Sequence, residues 1–568
     1  MHFSRPSRRT AAFIAATGTF FLSASLVTAQ VHTGGDHAFG HSMVGTFADD
    51  GFGTSVAVLE DLNGDGTLEY AVGAPEDYHF GPQQGSVRIF DGATETLILE
   101  ISGPISGGRF GSALSACHDL DGDGLGDLLV GAPQTDDSIS GKSWVGAAFA
   151  FSSATGLELF RIVGDESGGF LGEAVAPIAD LNQDGMDDLI ISQSGFHGTA
   201  GPGSGAVRLH SGADGSFLWL MEGPTAGSQF GYALDTFPDR DGDGLPEILV
   251  GSYLEDSAGL VNNGAVFLLS SVTGNELMRF DGTLSLAAFG NSVAHAGDVN
   301  GDGIGDLLVG APQFAINSGF AQVLSGVDGS VIHALSGDPE NGAYFGGTVA
   351  SAGDINGDGV PDQVVSAWRQ DQGRGGLYFF SGADGSRMQH AFGPDADANF
   401  GTVVDGFTGP SGTREFLVGA PSTPVGSVYG FGAAHRLSVD PMLSTDAISL
   451  SVSAGGSVTY DIDFPAQYAG HKAVLLASIQ GSGTTFLNGV GLPIGPTNLL
   501  DRTTLPPILG DVVVLDAAGD GSITLTYAPG ELSLGLGKHL EVCAAGLDPV
   551  IGSLPLVSST QMSLKLLP

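Results

Sequence analysis

Cysteine and positive charge are what this chain has least of. Only Cys117 and Cys543 occur in 568 residues, which excludes a disulfide scaffold and a thiolate zinc cluster. Read with the usual burial of free thiols, they are two unrelated core residues. Lys and Arg number 19 against 63 Asp and Glu, a formal charge of −44. A nucleic-acid binder needs a basic footprint, and an anionic membrane surface would repel this one. Both partners are excluded, and cations, metal ions first, are favoured. Past residue 29 no apolar run reaches the roughly 18 residues of a membrane span, so the mature chain is expected to lack a transmembrane segment. Sustained helical periodicity is missing as well. What is present is 42% hydrophobic residues, enough for a sizeable core, and 92 Gly with 27 Pro, still below the roughly 25–30% at which low complexity is the default reading.

The N-terminus carries Arg5, Arg8 and Arg9, an apolar run from Ala11 to Val27, and a small residue, Ala29, before Gln30. This is a secretory signal pattern with cleavage expected after Ala29. The Arg8-Arg9 pair leaves twin-arginine export open beside the general route. The mature protein is expected to be secreted or at the cell surface, extracellular or periplasmic.

A Phe-Gly pair recurs at 52, 110, 230, 289, 345 and 400, and Phe170-Leu171-Gly172 reads as the same pair with one inserted residue, which makes seven units. Six units continue with an acidic loop, and Gly or Ser follows twelve residues after each loop start. Gly-Ala-Pro stands there at 73–75, 131–133 and 310–312, and the seventh unit has it at 419–421; residues 192–194, 251–253 and 366–368 depart from it. Each unit contains four short apolar runs, with turns such as Ala213-Asp214-Gly215 before the last. Asp-Gly between apolar runs signals a hairpin because Gly accepts positive φ. Seven four-stranded repeats predict an all-β fold, a seven-bladed β-propeller, which removes long sheet edges by radial closure. The rival, an open solenoid, would want polar capping repeats. The seventh unit lacks a fourth strand and an orphan strand lies at about 38–47, so that segment is expected to close blade seven. After residue 436 the period ends. A linker (437–445) and alternating runs over 446–568 predict a small C-terminal β-sandwich.

The loops place oxygen-bearing side chains at positions 1, 3, 5 and 9 and Gly at position 6. With position 7, they comprise Asp61, Asn63, Asp65, Thr67 and Glu69; Asp119, Asp121, Asp123, Leu125 and Asp127; Asp180, Asn182, Asp184, Met186 and Asp188; Asp239, Asp241, Asp243, Leu245 and Glu247; Asp298, Asn300, Asp302, Ile304 and Asp306; and Asp354, Asn356, Asp358, Val360 and Asp362. Alternate positions in a tight loop converge on one centre, and a carbonyl ligand at position 7 leaves that side chain free to vary. Ca²⁺ takes six to eight hard oxygens, whereas Mg²⁺ keeps several waters and transition metals favour His or Cys. Up to six Ca²⁺ ions are therefore expected, with none in the seventh unit, where Asp405 to Glu415 has lost the pattern. At ten times its Kd one ion stabilises by about 1.4 kcal/mol, and six by roughly 8.

Phe-Gly, acidic loop and Gly-Ala-Pro recurring in that order resemble the FG-GAP repeat family, the propeller of integrin α subunits and of exported bacterial proteins. The resemblance covers about residues 36–436. It implies a seven-bladed propeller with calcium in the hairpin between strands one and two of a blade.

The loops between strands two and three lie on the opposite face and carry Tyr78, Trp144, Tyr253, Trp368 and Arg369 as candidate contacts for an extracellular protein or glycan; the same rings can instead pack between blades. No His-Glu-x-x-His or Gly-x-Ser-x-Gly motif occurs, and His118 and His295 read as structural. The expected function is a secreted, calcium-binding, non-catalytic adhesion or recognition module. The alternative is an exported enzyme or enzyme-associated module acting on polysaccharide.

Overall fold

The computed structural model describes residues 42–439, except 80–82, 314–317, 339–341, 410–413 and 425–429, and beyond 439 the backbone of strand segments. The expected signal peptide and residues 38–41 lie outside the described residues.

Seven four-stranded antiparallel sheets form the blades. Blade 1 consists of Ser55–Val58, Tyr70–Ala74, Ser86–Phe90 and Leu97–Ser102. Blades 2 to 6 begin with Ala113–Cys117, Leu171–Ile178, Ala233–Phe237, Ser292–Gly297 and Phe345–Gly353. Blade 7 takes Val404–Thr408, Arg414–Ala420 and Ala433–Ser438 from one end of the propeller and Ser42–Val44 from the other, with Ser42 opposite His435. Ser42 Oγ and His435 Nδ1 lie 2.8 Å apart. The first strands of successive blades touch in turn around the ring, and the first strand of blade 7 touches that of blade 1. There Asp405 Oδ2 accepts the Val58 N–H at 2.9 Å. The ring is closed, which excludes the solenoid. The last strand runs to Ser438, past the expected edge at 436, with Leu437 and Val439 buried, and Leu443–Thr445 is a strand where a linker was expected.

The core lies between blades rather than within one. Second strands such as Asp127–Ala132 are buried along their whole length, because both faces of an interior strand meet a neighbouring blade. This is why they read as unbroken Leu-Leu-Val runs instead of alternating ones. Ala57, Ala71, Val87 and Ile89 of blade 1 pack with Leu128, Val130 and Phe149 of blade 2 around Phe110. Phe110 has no exposed surface, and burying such a ring stabilises by about 1.5–3 kcal/mol.

The glycine of Gly-Ala-Pro and a second recurring glycine, the one before each third strand, have one cause, close approach of adjacent blades. Gly85 has φ +79°, and a Cβ there would lie 2.1 Å from the Phe110 carbonyl oxygen of blade 2. A Cβ on Gly73 would meet the Gly111 oxygen at 2.2 Å. Blades 3 and 6 carry Ser192 and Ser366 instead, and in these two blades the pairing of the first strand slips between Leu171 and Val175 and between Phe345 and Val349. The N–H groups freed by the slip, those of Ala174 and Thr348, donate to the serine hydroxyls at 2.8 and 3.0 Å. A β-bulge thus absorbs the larger side chain. The apparent insertion in blade 3 is corrected here. Leu171, not Phe170, pairs with Gly146 as Phe110 pairs with Gly85, and Leu171 is fully buried in the same place. Leucine fills the pocket that phenylalanine fills in the other blades.

The C-terminal unit contains antiparallel sheets: Leu443–Thr445 with Gly456–Asp463 and Asp520–Tyr527, and Val512–Val514 with Lys472–Ser478, His539–Leu547 and Pro555–Lys565. This is the element content expected of a small β-sandwich.

Candidate metal centre

Each acidic loop joins the first and second strands of a blade, and its hydrogen bonds repeat. The position-1 carboxylate organises the turn. Asp61 accepts the N–H of Gly64 at 2.6 Å and of Gly66 at 2.8 Å, and Asp298 and Asp354 do the same for Gly301 and Gly303 and for Gly357 and Gly359. These N–H donors, Gly66 and Gly124 foremost, hold Asp61 and Asp119 below the ordinary carboxylate range. The position-5 oxygen accepts the position-7 N–H in all six loops, from Asp65–Thr67 at 2.8 Å to Asp184–Met186 at 3.0 Å. Leu125, Leu245, Ile304 and Val360 make the same backbone contact, so the side chain at position 7 is not needed for the turn.

Position 9 starts the second strand and points back under the loop. Its carboxylate accepts the position-2 N–H: Leu62 to Glu69 at 2.6 Å, Leu120 to Asp127 at 2.7 Å, Leu181 to Asp188 at 2.9 Å, Arg240 to Glu247 at 2.9 Å, Val299 to Asp306 at 2.8 Å and Ile355 to Asp362 at 2.9 Å. All six of these acids are buried, while positions 3 and 5 are largely exposed. Burial raises the pKa of every one; it pushes Asp127 up to about 6 and Asp362 up to about 7. A buried carboxylate facing other carboxylates is unfavourable unless a cation or a proton accompanies it.

Three loops bring such groups together. Asp61, Asp65 and Glu69, then Asp119, Asp121 and Asp127, then Asp239, Asp241 and Glu247 each present carboxylate oxygens within 4.8 Å of one another. Glu247 Oε2 is buried with no hydrogen-bond partner, a condition that a coordinated cation relieves. The donor set is all oxygen, which suits a hard cation. In the remaining loops Asn occupies position 3 and turns its amide toward a neighbour: Asn182 Nδ2 donates to Asp184 at 2.7 Å and Asn356 Nδ2 to Asp358 at 2.9 Å. Asn300 Nδ2 reaches Asp306 only at 3.5 Å. Asp243 and Asp123 stand outside the clusters of their own loops.

Sequence reasoning missed a supporting position. Asp91 accepts from Asn63 Nδ2 at 2.8 Å, and Ser211 Oγ donates to Asp184 at 2.7 Å. Both open the turn after the third strand, and their recurrence with Ser152, Ser270, Ser325 and Ser381 was the available signal. Adjacent loops also touch. Glu60 accepts the Gly126 N–H at 3.1 Å, and His118 pairs with Asp187.

The opposite face divides the expected contact residues. Tyr78 and Trp144 are each 53% exposed, and Trp144 stacks on Phe170 with ring centroids 6.0 Å apart. Tyr253 and Trp368 are half-buried and packed on Tyr232 and Tyr344. The Arg369 guanidinium lies over the Tyr344 and Trp368 rings. Among the described residues no ring contact joins Tyr78, Trp144, Tyr253 and Trp368 to one another, so they form separate local clusters and no single cage.

Comparison with known proteins matches residues 52–90, 110–148 and 289–325 to the FG-GAP repeat. Integrin alpha-4 of Xenopus laevis is 32% identical over 225 residues, 36% of this chain and 21% of that protein. Integrin alpha-IIb of Homo sapiens is 34% identical over 218 residues, 36% of this chain and 20% of that protein. Integrin alpha-V of Gallus gallus is 29% identical over 225 residues, 37% of this chain and 21% of that protein. The aligned part spans about a fifth of the length of these relatives. The chain thus carries three repeats that match FG-GAP, folds as a closed seven-bladed β-propeller, and is similar over the aligned part to integrin alpha chains.

Proposed function

We propose that this protein is a secreted calcium-binding propeller that acts as a non-catalytic adhesion or recognition module. The observation that carries the calcium reading is the buried position-9 carboxylate, pushed up in pKa and gathered with two further acids within 4.8 Å in three loops. Asp61, Asp65 and Glu69, Asp119, Asp121 and Asp127, and Asp239, Asp241 and Glu247 would hold the ion in blades 1, 2 and 4, and the matching residues of blades 3, 5 and 6 would hold up to three more. The ion would supply charge neutralisation to the hairpins. Recognition is assigned to the opposite face, where Tyr78 and Trp144 are exposed, with an extracellular protein or glycan as partner. Export is supported by the N-terminal sequence pattern, and among the described residues no helix is long and apolar enough to cross a membrane. Similarity to integrin alpha chains supports recognition over catalysis. Calcium titration of chelator-treated protein by calorimetry tests the reading. Saturable binding of several equivalents, reduced in Asp119→Ala, is expected; no heat above the buffer blank would refute it.

A further inference from the structure

Blade 7 has lost the acidic loop but kept its buried acid. Glu415 stands four residues before Gly419, as Glu69 stands four before Gly73 and Asp127 four before Gly131. It is the position-9 carboxylate of the seventh blade, and its side chain is 5% exposed. In the other blades that carboxylate faces acids; here it faces a base. Arg436 Nη2 donates to Glu415 Oε1 at 2.9 Å, and Arg436 Nε donates to Oε2, a two-pronged pair. The Arg436 side chain is itself three-quarters buried. Its remaining nitrogen reaches across the seam to the Gly92 carbonyl oxygen of blade 1 at 3.4 Å. Gly92 follows Asp91, which holds Asn63 of the first acidic loop.

From this geometry we infer that Arg436 is the built-in cation of blade 7: a tethered guanidinium neutralises the carboxylate that metal would neutralise elsewhere, and it latches the blade 7–blade 1 seam whether or not metal is present. The placement is physically sensible. The seam is where strands from two distant parts of the chain must stay joined, with Ser42–Val44 held by only a short pairing to Ala433–His435. A metal-dependent cation there would let the ring open on chelation. Bidentate Arg–carboxylate pairing is also geometrically selective. The inference rests on the calcium reading only for its contrast with blades 1 to 6.

Hydrogen exchange of the full chain, with and without chelator, tests it. In the unsubstituted protein, chelation should speed exchange in the hairpins of blades 1, 2 and 4 and leave 404–408, 414–420 and 433–438 unchanged. Arg436→Gln should speed exchange at these seam strands at least about tenfold, because an unpaired buried carboxylate is strongly unfavourable, and added calcium should not reverse it. Glu415→Gln/Arg436→Gln, neutral at both ends, should recover much of the protection, and it serves equally if the single variant does not fold. Seam exchange unchanged in Arg436→Gln, restored by calcium, or no better in the double variant overturns the inference. Hairpins indifferent to chelator would instead count against the calcium reading, while the comparison of the variants still decides the role of Arg436.

Discussion

Replacing Asp127 by Asn separates a metal ligand from an ordinary buried acid. Asp127 is fully buried and accepts the N–H groups of Leu120 at 2.7 Å and Ser153 at 3.3 Å. Without metal, burial pushes its pKa from 3.8 up to about 6. Ionising it at neutral pH therefore costs roughly 1–3 kcal/mol once solvent at the open side of the loop is allowed for. Asn removes that cost but presents an NH₂ where one N–H needs an acceptor, a loss of about 1–3 kcal/mol. In chelator the two effects oppose, and the variant should melt within ~1 kcal/mol of the parent. In calcium at about a hundred times Kd, the parent gains about 2.7 kcal/mol at this site and the variant loses it. The expected signature is a condition-dependent difference of several degrees in Tm, followed by circular dichroism in both buffers. A variant that melts lower by the same amount with and without calcium would show that Asp127 supports the strand and does not face an ion.

Other substitutions probe other parts of the structure. Phe110→Ala opens a cavity between blades 1 and 2 and should cost about 3–5 kcal/mol in denaturant titrations, with and without calcium alike; a cost that vanishes in calcium would contradict the packing account. Trp144→Ala on the exposed face should shift stability by no more than ~0.5 kcal/mol yet weaken binding on a glycan or extracellular-protein array, and unchanged binding removes Trp144 from the contact surface. His435 is fully enclosed, and burial lowers its pKa from 6.5 to about 4. At this residue the folded state therefore binds fewer protons than the unfolded state between these values, so the contribution of His435 falls by roughly 3 kcal/mol as pH drops from about 6.5 toward 4, opposite in sign to that of the buried position-9 acids. His435→Gln should flatten that dependence in melts across the range, and an identical pH profile would refute the assignment.

The features legible in the sequence are those set by contacts that every blade must make. Gly85 and Gly73 are glycines because a neighbouring backbone leaves no room for Cβ, so the motif recurs wherever two blades meet, and its period counts the blades. The acidic loops were legible for a similar reason: their hydrogen bonds run between positions only two to seven residues apart, and spacing carries the geometry. Illegible features depend on what fills a space and not on the space itself. Leu171 occupies the Phe110 position because a buried pocket accepts either side chain, and a search for Phe misplaced the pair by one residue. Ser192 and Ser366 looked like broken turns, but a bulge in the first strand gives each hydroxyl an N–H to accept. Trp368 looked available on its loop, yet Tyr344, distant in sequence, covers part of it. Most telling is the pair Glu415–Arg436. Judged by ligand spacing alone, the seventh loop had simply decayed. The missing acids and the base on the adjacent strand fit together, since the retained buried carboxylate needs a counter-charge. A repeat that loses its metal motif while keeping the buried acid should be searched for an arginine on the strand beside it.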